Sequence, residues 1–359
     1  MQQLNDDYTI AFLTYTNFLA LESNPRLLSY YKHSLEHGQK PIFLFIKGFA
    51  QTPYASVQKD AQSLLGLLKQ YIRLYRFIKR SKSLKVLYIY SPISLYRPLE
   101  RLAKKSGIRV VKERTEVDSL KPVKTFKGQI LKWLYKLDER TAAQEPHVVI
   151  TPQIAQYLHL ENSVLLPAFI RPDLYHQPAQ VVRDSNTFVI GYFGSFGPKD
   201  QVEELLRSVN LMSHHPVRVK LMGSLPNGLK HLKEETWNFE TEWISNLHTK
   251  DVIQELSACD VAICHRDSSL YSAMGFPSKI MEYMLANVRI LCADTGNIRT
   301  HMEPAEIIYY SSKENQGLLK AINGCLEDSN SVDHTASVKQ HHFQQYAQTW
   351  YTYVFSSPF

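Results

Sequence analysis

Gly275-Phe-Pro-Ser-Lys-Ile-Met-Glu-Tyr-Met-Leu-Ala-Asn-Val-Arg-Ile-Leu291 reads as a tight turn, a short helix and a buried strand. Pro277 suits a first-turn position, where no amide proton is needed. Ser278 is a residue type that caps helices. Ile280, Met281 and Met284 follow at helical spacing, Ala286-Asn287 closes the helix, and Val288–Cys292 is an apolar strand. A helix start after such a turn offers backbone N–H groups and the positive end of a dipole. Lys279 adds a cation. Glu282, one turn on, can bond hydroxyls beside whatever anion is held there. An anion next to a diol is the pattern of a nucleotide diphosphate, with phosphates at the tip and ribose at Glu282.

Outward from this stretch, apolar runs alternate with amphipathic ones, as a parallel α/β sheet requires. In the first half, 8–14, 41–46, 85–90, 108–111 and 147–151 read as strands. Residues 24–37, 61–82, 95–105 and 124–140 read as helices. Glu113-Arg-Thr-Glu116 is placed just past the end of a strand, where ligands of open α/β sheets collect. In the second half, Thr187-Phe-Val-Ile-Gly-Tyr-Phe193 runs into Gly194-Ser195-Phe-Gly-Pro-Lys199-Asp200 before a helix from Val202. Such a turn aims amides and a hydroxyl at a phosphate. Strands follow at 217–223 and 260–264, and His265-Arg266 stands at the end of the latter. Gly191, Gly194 and Gly197 also spell GxxGxxG. The Tyr75–Lys79 pair precedes it, an order that argues against a short-chain dehydrogenase.

Pro277-Ser278-Lys279-Ile-Met-Glu282-Tyr283 and the strand after it resemble the donor site of GT-B glycosyltransferases, especially the retaining family 4 (group 1) and its relatives. The resemblance covers most of 187–300 by motif and the first half by layout. It implies two Rossmann-like α/β domains facing each other across a cleft. Expected boundaries are an acceptor-binding domain over 1–170, a Pro-rich linker over 171–186 and a nucleotide-sugar domain over 187–337. A terminal helix over about 338–356 is expected to cross back to the first domain. By resemblance, Gly194, Ser195, Lys199, Trp243, Ile244, His265, Pro277, Ser278, Lys279 and Glu282 bind the donor. Glu116 or Glu113 would serve the acceptor hydroxyl, with Lys279 and Arg266 at the departing diphosphate. Many members carry a second glutamate seven residues before the one matched by Glu282. Met274 stands there, which leaves retention or inversion open. Relatives also often have Arg at Ser195 and Lys at Asp200.

These features imply a transferase that moves a sugar from a UDP- or GDP-linked donor to a glycan or lipid-linked acceptor in envelope or capsule polysaccharide synthesis. A GT-B epimerase or hydrolase, and a scaffold without catalysis, are the alternatives. No Asp-x-Asp pair flanks a strand end, so neither an obligatory metal nor another cofactor is expected. The four cysteines, Cys259, Cys264, Cys292 and Cys325, lack metal or disulfide spacing. The chain shows no signal-peptide pattern at its start and no apolar run of bilayer length, which gives a cytoplasmic expectation. Charge is lopsided: residues 1–180 hold 26 Lys and Arg against 14 Asp and Glu, whereas 181–359 hold 15 against 20. The basic half suggests an anionic partner, foremost an anionic membrane surface contacted peripherally. No aromatic-basic module points to nucleic acid.

Overall fold

The computed structural model describes residues 8–16, 24–47, 64–170, 174, 186–212, 216–302, 307–314, 316–328 and 332–356. The chain divides into two compact units, one of Met1–Pro167 with Phe343–Phe359, the other of Ala168–His342. Nearly all of the expected linker over 171–186 lies outside the described residues.

The first unit runs β1 (Ile10–Thr16), α1 (Pro25–Glu36), β2 (Pro41–Lys47), α2 (Leu64–Arg80), β3 (Val86–Tyr90), α3 (Arg97–Lys105), β4 (Arg109–Arg114), α4 (Phe126–Glu139), β5 (His147–Val149), α5 (Pro152–Tyr157) and β6 (Ser163–Leu165). Its six strands are parallel in the order β2-β1-β3-β4-β5-β6. Asn24 caps α1, its Oδ1 accepting from Leu27 N at 3.0 Å. Ile10–Leu13 and Val86–Ile89 are buried, as continuous apolar strands in a two-faced sheet must be.

β4 departs from the expected end at Val111. It continues through Lys112, Glu113 and Arg114, all essentially inaccessible to solvent. Charges can occupy a buried strand only when paired. On one face, Lys112 Nζ meets Asp138 at 2.9 Å, Glu100 at 3.1 Å and Glu145 at 2.7 Å, and Arg114 also bonds Asp138. On the other, Glu113 accepts from Arg26, from Tyr30 Oη at 3.2 Å and from Tyr88 Oη at 2.9 Å. Glu113 is therefore a strand residue inside the core, not a loop acid.

The second unit runs β7 (Phe188–Phe193), α6 (Val202–Val209), β8 (Val217–Met222), β9 (Glu240–Ile244), α7 (Thr249–Ser257), β10 (Val261–Cys264), α8 (Leu270–Met274), α9 (Lys279–Leu285), β11 (Arg289–Ala293), β12 (Ile308–Tyr310), α10 (Gly317–Glu327) and α11 (Thr335–Gln340). Its strands are parallel in the order β12-β11-β10-β7-β8-β9. Ile190, Val219, Val261, Ile263 and Leu291 form its core with Leu205 and Leu206 of α6. All four cysteines are buried and free.

The single terminal helix expected over 338–356 is broken. α11 ends at Gln340, and α12 (Gln344–Phe355) begins after His341–Phe343. α12 belongs to the first unit, where Trp350 is fully buried and stacks on Tyr30 with ring centroids 4.5 Å apart.

Candidate active site

The carboxyl ends of β7, β8, β10 and β11 bring a set of turns together in the second unit. Gly194 N donates to Met222 O at 3.0 Å, and Gly223 N to Ile244 O at 2.8 Å. A Cβ on Gly223 would sit 1.9 Å from Gly194 O, so only glycine lets these turns approach so closely. One on Gly194 would meet Lys279 Nζ at 2.7 Å. The missing side chain thus makes room for an ammonium over the turn.

Lys279 Nζ donates to Asp200 Oδ1 and to Tyr192 Oη, each at 2.8 Å, and lies 4.3 Å from the centre of the Tyr192 ring. Burial pushes the Asp200 carboxyl up, but Lys279 and donors from Gly197 N and Tyr192 outweigh it and hold the group below its ordinary range. Burial, then Asp200, push the Tyr192 hydroxyl well above its usual value. Asp200, where relatives often have a Lys, is here the counter-ion of Lys279.

Arg266, at the end of β10, is buried. Its Nη1 donates to Gly275 O at 3.0 Å and Ser272 O at 3.3 Å. Asn297 Nδ2 reaches the same Gly275 oxygen at 2.6 Å. The turn before α9 is thereby clamped from two strand ends. Arg266 Nε is buried without a hydrogen-bond partner among the described residues. Tyr283 fastens α9 from below, its hydroxyl donating to Ile263 O and accepting from Phe193 N, both at 3.1 Å.

The start of α9 differs from the sequence expectation. Ser278 has helical backbone angles, and its side chain makes no capping bond. Ile280 N and Met281 N are taken by Pro277 O and Ser278 O, a tightened first turn. The amides of Ser278 and Lys279 have no acceptor among the described residues. α9 spans seven residues, too few for a strong dipole, so the cation of Lys279 dominates the local field. Pro277 is buried, Ser278 exposed, and Glu282 half-buried in the first turn.

Met274 closes α8 and is buried. Ser195 is exposed at the Gly194 turn. Lys199 Nζ lies 4.9 Å from the ring centre of Tyr271. Trp243, half-buried on β9, has its ring 6.1 Å from Phe196 and Lys233 Nζ 5.7 Å above it; Ile244 ends the strand. His265 is buried, with Nδ1 2.5 Å from Tyr310 Oη and Nε2 3.3 Å from Glu204. Burial outweighs Glu204 and lowers its pKa. Nδ1 is therefore engaged by Tyr310, while Nε2, though near Glu204, has no hydrogen-bond partner among the described residues. Among the described residues, no group of three or more His, Cys, Asp or Glu could hold a metal ion.

The sequence profile of the family described as "Glycosyl transferases group 1" matches residues 176–350. That stretch, nearly half of the chain, is similar to group 1 glycosyltransferases. No curated protein matches the chain. Among solved structures, Anabaena Alr3699/HepE in complex with UDP-glucose aligns with TM-score 0.70 and 16% identity, over 96% of this chain and 99% of that one. Sucrose-phosphate synthase from Thermosynechococcus elongatus gives 0.72 and 12%, over 96% and 98%. WaaG, a glycosyltransferase involved in lipopolysaccharide biosynthesis, gives 0.69 and 11%, over 97% and 100%. The fold is therefore GT-B, built of two Rossmann-like domains.

Within the second unit, the structure brings Gly194, Asp200 and Lys279 together at one turn and sets Arg266 at another, the turn before α9. Tyr192, Tyr283 and Asn297 were not legible as site residues. Each acts through a polar atom that reaches a different element, which no local spacing announces. On the other unit, Glu116 is half-buried just beyond β4, and Asp118 stands two residues on, accepting from Ser91 Oγ at 3.1 Å.

Proposed function

We propose that this chain is a glycosyltransferase that moves a sugar from a UDP- or GDP-linked donor to a glycan or lipid-linked acceptor in polysaccharide synthesis. The observation that carries the reading is Lys279, held over the Gly194 turn by Asp200 and Tyr192. An ammonium has three donors, and two are spent on protein. The third serves a phosphate oxygen of the donor, joined by the amides of Ser278 and Lys279 and by the buried Arg266 guanidinium. Glu282, three residues further along α9, would accept from the ribose hydroxyls. HepE, of the same fold, was crystallised with UDP and with UDP-glucose, which supports a nucleotide sugar as the donor here.

In this mechanism the leaving diphosphate gains negative charge as the glycosidic bond to the donor breaks. Cations and amides already fixed in place stabilise that charge without reorganising. Lys279 and Arg266 take this role, and the chain then needs no metal ion. The buried Met274 offers the transferred sugar no hydrogen bond, so recognition of its hydroxyls falls to other groups. Glu116 is the candidate to orient or deprotonate the acceptor hydroxyl. Glu113 is not, because Arg26, Tyr30 and Tyr88 enclose it.

A thermal-shift panel of UDP, GDP, ADP, TDP and CMP tests the reading. One nucleoside diphosphate should raise the melting temperature, and Glu282→Ala should diminish that shift. No shift with any of the five would refute it.

A further inference from the structure

The first unit presents a face that the donor site does not use. α2, α3 and α4 cover one side of its sheet: Leu74 and Ile78, Leu99 and Ala103, and Leu131 and Leu134 share a core with Leu87 and Val110. Arg97 of α3 donates to Leu137 O of α4 and to Thr141 Oγ1 at 2.8 Å, so the layer is continuous.

The outer surface of this layer combines two features. On α2, Leu65, Leu68, Ile72 and Tyr75 form an apolar stripe turned away from the core, with Leu65 70% exposed. On α4, Phe126 is 83% exposed and Trp133 58%, with Ile130 between them. Around these stripes the three helices carry twelve Lys and Arg and only three acids. Two of the three, Glu100 and Asp138, are buried against Lys112 and give the surface no negative charge.

A merely solvated basic face has no need of exposed leucine, isoleucine, phenylalanine and tryptophan together. A second copy of the chain would set two strongly positive faces against each other. Single-stranded nucleic acid would use the aromatic rings and cations but not the aliphatic stripe of α2. An anionic bilayer satisfies both features: its phosphates meet the cations, and its headgroup boundary takes the apolar side chains. We infer that the α2–α3–α4 face docks on an anionic lipid surface, with Leu65, Leu68, Phe126 and Trp133 entering the headgroup region. This docking stands whether or not the donor reading holds.

The test is co-sedimentation of the full chain with vesicles of phosphatidylcholine alone and of phosphatidylcholine with phosphatidylglycerol. Binding should require the anionic lipid and fall steeply between low and high salt. Arg73→Glu with Arg76→Glu should lower the bound-to-free ratio by at least about tenfold, since each basic residue near such a surface contributes about fivefold. Leu68→Ser with Trp133→Ser should weaken binding at low salt too. All four side chains are exposed, so both variants should keep the wild-type melting temperature. Bromine-labelled lipid should quench the protein's tryptophan fluorescence, and the conservative Trp133→Phe should remove most of that quenching. Failure to bind phosphatidylglycerol vesicles at low salt would overturn the inference. So would equal binding by wild type and variants, quenching that survives Trp133→Phe, or a dimer dispersed by Leu68→Ser.

Discussion

The two sheets end in charged residues that look alike in sequence and behave differently in space. At β4 of the first unit, Lys112, Glu113 and Arg114 form pairs so enclosed that they shape the core. In the second unit, Asp200 after β7 and Lys279 at the start of α9 form one pair beside a glycine turn, their side chains 5% and 10% exposed. The first arrangement pairs every charge inside the core, and the donors it leaves over, Arg114 Nε and Nη1, are buried there too. The second leaves an ammonium donor at the Gly194 turn, and two amides and a guanidinium nitrogen at the turn before α9. A charge near a strand end is evidence of chemistry only when the donors left over gather beside turns rather than inside the core.

The largest expected effect falls on the first region. Asp138→Ala strips Lys112 and Arg114 of a shared partner and should destabilise the unit by about 3–5 kcal/mol in denaturant unfolding. Glu113→Gln should also lower stability, while folded protein keeps its turnover. A turnover loss without a stability loss would reverse the contrast and return Glu113 to the active site.

Next is Lys279→Met, which should lower turnover about 100-fold, the scale of a lost transition-state donor. It also strands Asp200, so some stability goes with it. Adding Asp200→Asn should restore stability but not turnover. Recovery of both would make Lys279 a structural residue like Lys112.

Glu282→Ala should raise the nucleotide Kd about tenfold, as for one lost hydrogen bond to a charged group, with a smaller change in kcat. Titration calorimetry checks this.

The smallest effect concerns Asp118, which burial and then Glu116 push up to about 6. A carboxyl raised in the folded state opposes folding once ionised. That cost is absent below the unfolded value near 4 and complete above about pH 6. Asp118→Asn should therefore stabilise the protein by about 1 kcal/mol above pH 6, and the gain should vanish near pH 4. Melting curves across that range decide. A gain that persists at pH 4 would show that the carboxylate charge is not the cause.

Much of the second unit was legible because its strands are apolar runs stopped by glycine or by a polar turn. Phe188–Phe193 before Gly194 and Arg289–Ala293 before Asp294 are such cases. β4 was cut short because a buried Lys-Glu-Arg run contradicts that signal, and only Arg26, Asp138 and Glu100 explain it. The Ser278 cap failed because the first turn of α9 closes on its own carbonyls. The break before α12 carries no Pro or Gly to mark it. The Lys279–Asp200 pair joins residues 79 positions apart, so only the fold could reveal it.

A crystal structure of the protein with its UDP- or GDP-linked sugar tests the central claim most directly. The diphosphate should lie within hydrogen-bond reach of Lys279 Nζ and the Ser278 and Lys279 amides, with the ribose on Glu282. A diphosphate bound elsewhere, with Lys279 still engaged only by Asp200 and Tyr192, would contradict it.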